Sequence, residues 1–109
     1  MKDHIKEQKE NISIEDILSV VCKEFNLKAS DIRSNKKTQK IVMARRIVIF
    51  LARELTSMSM PSLARLFEMK DHTAISHNVK KINEDIKNSN ELKYQIDELK
   101  NKVLIKKQS

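Results

Sequence analysis

Asp71-His72-Thr73 sets an acceptor, an imidazole and a hydroxyl with its methyl side by side, and the chemistry open to such a trio can be narrowed quickly. Covalent catalysis needs an activated nucleophile. Cys22, the only cysteine, and the serines have no neighbouring base, and a chain with Gly 0 has no glycine-rich oxyanion turn. The same lack of glycine excludes a Walker A phosphate cradle. Metal binding fails on spacing: His72 and His77 are five apart, about 140° round a helix, and do not share the face of an i, i+4 pair. The third histidine, His4, stands near the start of the chain. No catalytic site, metal or cofactor is expected in this segment. What remains is recognition, because these donors and acceptors match the edges of base pairs. Helix capping alone accounts for Asp71 equally well.

These side chains need a helix to aim them. Asp71 is a good N-cap, and Ile75, Val79, Ile82 and Ile86 follow at the one-sided spacing of an amphipathic helix. At about 100° per residue the stripe lies opposite Thr73, His77, Lys80 and Glu84. Upstream, Pro61 suits the start of a helix, and Leu63, Leu66 and Phe67 give a short helix over 61–68 its inward face. A short helix, a tight turn and a longer helix with a polar first turn make a helix-turn-helix plan, in which the second helix reads DNA. That helix fades at Asn88-Ser89-Asn90.

The remainder of the chain must hold this pair. Its 109 residues are 39% hydrophobic and 34% charged, with one proline, so an all-α fold is expected: a compact helical bundle with one modest core, containing the helix-turn-helix and a basic loop. Residues 1–11 read as a charged lead-in or the end of a linker helix, 12–105 as the domain and 106–109 as a mobile tail. Ser13 opens a capping box with Asp16, and Ile14, Ile17, Leu18, Val21 and Phe25 stripe a first helix ending near Asn26. Ser30-Asp31 can cap a short turn containing Ile32. A central helix over about 39–56 is apolar on most sides, and Cys22 reads as a core packer. Leu92, Ile96, Leu99 and Val103 form a last stripe over 90–105, read as a lid. The lone cysteine fits a reducing cytoplasm, and no apolar stretch is long enough to span a bilayer.

The charge of +7 favours a polyanionic partner, double-stranded DNA or an anionic membrane surface. It is concentrated. Between 28 and 53 the bases are Lys28, Arg33, Lys36, Lys37, Lys40, Arg45, Arg46 and Arg53, against Asp31 alone. Residues 33–40 are expected to form a basic loop, and Arg45, Arg46 and Arg53 the exposed strip of the central helix. With Lys36, Lys40, His77, Lys80 and Lys81 they are candidates for phosphate contacts. A solvated helix face is the plain alternative for Lys80 and Lys81.

Asp71-His72-Thr73, an apolar residue, His77 and Lys80-Lys81-Ile82 together resemble the signature of the C-terminal domain of the bacterial DnaA replication-initiator family. Ala52-Arg53-Glu54-Leu55-Thr56 and Pro61-Ser62-Leu63-Ala64 keep that domain's order and spacing, and the resemblance covers roughly 12–88. It implies binding at short asymmetric replication-origin sites, the DnaA boxes, by a nucleoid-associated cytoplasmic protein. Asp71, His72, Thr73 and Ala74 would read the major groove. Pro61 and Met60 open the supporting helix and could add apolar contact to bases, with a purely structural helix start as the preferred alternative. Lys37 would read the adjacent minor groove. The family usually has arginine at that loop position, and lysine keeps the charge without the planar fork. Arg45 matches a DNA-contact position. Glu68-Met69 replaces glycines common in the family's turn, so a left-handed backbone there would cost about 1 kcal/mol. Ala74 stands where a second hydroxyl is frequent and offers only a methyl. The resemblance also implies an upstream ATP-binding AAA+ module, to which nucleotide chemistry would belong, and a monomeric isolated domain.

Two other readings stay open on the residues themselves. A helix-turn-helix transcription regulator would dimerise, with the last heptad-like helix as its seam. A basic amphipathic module could dock on acidic phospholipid.

Overall fold

The computed structural model describes residues 12–34, 36–68 and 72–108, which form six α-helices. The expected lead-in at 1–11, the cap Asp71 and Ser109 lie outside them. Helix α1 spans Ile14–Phe25, α2 Ala29–Arg33, α3 Gln39–Leu55, α4 Met60–Leu66, α5 His72–Asn88 and α6 Asn90–Gln108. The fold is all-α, a bundle built round a helix-turn-helix.

Helices α1, α4 and α6 start at a serine whose hydroxyl accepts from an otherwise unpaired backbone N–H of the first turn. Ser13 caps α1 by the expected reciprocal box: the Asp16 N–H donates to Ser13 Oγ at 3.3 Å, and the Ser13 N–H to Asp16 Oδ2 at 3.1 Å. Asn26 ends α1 in the left-handed region (φ 56°), which asparagine tolerates better than most residues. The short α2 begins earlier than Ser30-Asp31 suggests. Asp31 sits inside it and reaches back to accept from the Lys28 N–H at 3.4 Å. Ser59 caps α4 by accepting from the Ser62 N–H at 3.3 Å, with Pro61 in the first turn, where its missing N–H costs nothing.

Packing follows from which faces are apolar. Helix α3 is the hub: Ile41, Ala44, Ile47, Val48, Ile49, Leu51, Ala52 and Leu55 are all buried, and the helix packs against α1, α2 and α5. Ile17, Leu18 and Val21 seat α1, while Leu63, Ala64 and Phe67 join α4 to the same core. Cys22 packs at its edge, where burial, with Asp31 nearby, holds the thiol above its ordinary range and so protonated. Ile96, Leu99 and Val103 are buried too, so α6 is the expected lid and rests on α1 and α5. The last helix runs past its expected end at 105. Lys106, Lys107 and Gln108 continue α6, because nothing after Val103 breaks the helix. Among the described residues no helix is long and apolar enough to cross a membrane.

Candidate nucleic-acid interface

Helix α5 presents two faces. Ile75 and Ile82 are fully buried, and Val79 and Ile86 pack against the core. On the other side Thr73, His77, Lys80, Lys81 and Glu84 are exposed. His72 begins the helix, but its side chain lies outside the described set, as does Asp71.

The short helix α4 meets this front. Ser76 Oγ donates to Met60 Sδ at 3.2 Å, drawing the opening of α4 against the second turn of α5. Pro61 is exposed beside that contact, while Ala74 is half-buried. The turn between the helices does use a left-handed backbone: Glu68 has φ 56°, a position that a glycine would occupy without Cβ strain.

The basic loop is tied down at several points. Ser34 Oγ donates to the Asp31 carbonyl at 2.6 Å and accepts from the Lys36 N–H at 3.2 Å. Lys36 Nζ reaches Asp31 Oδ1 at 2.9 Å. Those Lys36 and Lys28 hydrogen bonds hold the Asp31 carboxyl below its usual range. Lys36, Lys37 and Lys40 are exposed, and of these Lys36 already has its counter-charge in Asp31.

The central helix departs from its expected exposed strip. Arg45 is only 9% exposed. Its Nε donates to the Ile32 carbonyl at 2.9 Å, and its Nη2 to the carbonyls of Ser34 at 2.6 Å and Lys36 at 2.8 Å. Expecting Arg45 to contact phosphate is therefore corrected: its fork is turned inward and brackets the loop. Burial, then the adjacent Arg46, lowers its pKa, yet a guanidinium stays charged at any working pH. Arg46 is half-buried and donates through Nε to Asn78 Oδ1 at 3.3 Å. Asn78 Nδ2 in turn donates to the Ala74 carbonyl at 2.7 Å. Of the three arginines only Arg53 is exposed. The structural roles of Asn78, Ser76 and Met60 carry little sequence signal beyond a polar residue on the shoulder of an apolar stripe.

The structure thus gathers a two-faced helix, a short helix buttressing it and a braced cationic loop on the helix that joins them. Among the described residues no three His, Cys, Asp or Glu side chains form a metal-holding group. Residues 14–82 match the family model described as bacterial dnaA protein helix-turn-helix. The chain belongs to that family. It is 73% identical over its whole length to the chromosomal replication initiator protein DnaA of Campylobacter jejuni subsp. doylei, and covers 25% of that protein. To the namesake from Campylobacter curvus it is 57% identical over 97% of its length, covering 24% of that protein. The chain therefore spans about a quarter of these relatives. A crystal structure of a DNA replication initiation factor superposes with TM-score 0.78 at 30% identity, over 94% of this chain and 32% of that one. The family's matched region is a binding fold and not a catalytic one.

Proposed function

We propose that this chain binds double-stranded DNA in the initiation of chromosomal replication, at short asymmetric sites of the DnaA-box kind. One observation carries the reading. Helix α5 is anchored through Ile75 and Ile82, while Thr73, His77, Lys80 and Lys81 stand exposed on its other side. In the proposed complex the opening turn enters the major groove, where Asp71, His72 and Thr73 meet base edges and Ala74 and Pro61 supply apolar contact. His77, Lys80, Lys81, Lys40 and Arg53 meet phosphates, with Arg46 and Lys36 contributing less because each already has a protein partner. Lys37, exposed on the braced loop, lies in the neighbouring minor groove. The names of the relatives support the replication context, and ATP chemistry is placed in the parts of them that this chain does not span.

The regulator reading loses its main support, because the stripe that would form a dimer seam is buried in the chain's own core. The test is selection of duplexes from a random pool at physiological salt, followed by sedimentation with the selected duplex. The expected result is one asymmetric motif bound by one copy of the chain. A palindrome bound by two copies, or no motif at all, overturns the proposal.

A further inference from the structure

Arg45 and Arg46 are consecutive, yet they reach in different directions. Arg45 brackets three carbonyls, that of Ile32 in α2 and those of Ser34 and Lys36 in the loop that follows, from the helix at the centre of the core. Arg46 meets α5 at Asn78, whose amide is bonded to the Ala74 carbonyl in the DNA-facing turn. We propose that this pair is a spacer: Arg45 is a positioning residue that sets the loop, and with it Lys37, at a fixed distance from α5. A duplex has major and minor grooves at fixed separations, so two reading elements bind together only when their spacing is preset. The inference rests on the proposed groove assignments of α5 and Lys37.

The chemistry requires arginine. Three carbonyls in different directions are met by Nε and Nη2 of one rigid fork, and a lysine ammonium at the end of a flexible stem cannot reproduce that geometry. A phosphate contact, by contrast, is a point-charge interaction that lysine largely replaces.

The test uses Arg45→Lys, Lys37→Ala and the double variant, each checked for a folded helical spectrum. In the free protein, hydrogen exchange at the Ser34 and Lys36 amides is expected to rise about tenfold or more in Arg45→Lys, because the carbonyls that fix the loop lose their fork. On the selected duplex, Arg45→Lys is expected to lose preference for an A·T-rich flank as Lys37→Ala does, and the double variant to lose no more than about twofold beyond either. Losses that multiply in the double variant, or unchanged loop exchange in Arg45→Lys, overturn the spacer role. If the loop loosens but neither variant changes flank preference, the brace stands as structure and the minor-groove assignment of Lys37 fails. If Arg45→Lys fails to fold, Ser34→Ala/Asp31→Asn, which loosens the same loop from its other side, is expected to show the same flank loss. Retained flank preference in that variant also overturns the proposal.

Discussion

At Glu68 a φ of 56° carries a cost, since a Cβ crowds the carbonyl in the left-handed region. Glu68→Gly removes that crowding but gives the unfolded chain more freedom, so the two effects partly cancel. The expected net gain is up to about 1 kcal/mol, read as a higher urea midpoint with unchanged slope. Asp31 supplies a pH dependence. Its carboxyl is held low in the fold by Lys36 and the Lys28 N–H, so its contribution is fully present above the ordinary carboxylate pKa of about 3.9. That contribution is lost as pH falls through the lower, folded value. Protection of the Lys36 amide, read against the free-peptide exchange rate at each pH, should therefore hold from neutrality to below about pH 4 and fall only in stronger acid. In Asp31→Asn that acid step should vanish.

Among the elements, α5 carries its two tasks on adjacent residues. Lys81 is exposed and Ile82 fully buried, so substitutions one position apart should fail in different assays. Ile82→Ala should cost about 2–5 kcal/mol of stability through the cavity it leaves. Lys81→Ala should leave the denaturation curve in place and lower the salt dependence of DNA binding by about one unit in slope. Equal stability losses in the two would contradict the two-faced reading. Such division of faces was legible in the sequence, because helical period alone separates Ile75 and Ile82 from Thr73, His77 and Lys80. The Ser13 box, the hub helix and the lid were legible for similar local reasons. Arg45 was not. A helical projection ranks faces by polarity, but the carbonyls that cover Arg45 come from 9 to 13 residues upstream, and no pattern within α3 records them. The early start of α2 escaped because Asp31 caps it from inside, by reaching back to Lys28.

Over the whole molecule, α3 is the common anchor of the two cationic elements. The braced loop and the exposed front of α5 are both joined to α3, the loop through Arg45 and α5 through Arg46 and Asn78. Helix α6 instead rests on α1 and α5, and Lys102 is paired with Glu24 at 3.0 Å, Lys100 with Glu54 at 3.7 Å. Two lysines of α6 thus already face a carboxylate, while Lys37, Lys40, Lys80 and Lys81 have no ion pair among the described residues. Exposed pairs of this kind add little stability, but they lower the local potential and bias where a polyanion lands. The most direct test is to map backbone amide shifts on adding the selected duplex. The account predicts the largest changes at Thr73–Lys81 and Lys36–Lys40, with α1 and the second half of α6 nearly still. Changes centred on α1 and α6, with Thr73 and His77 unmoved, would contradict it.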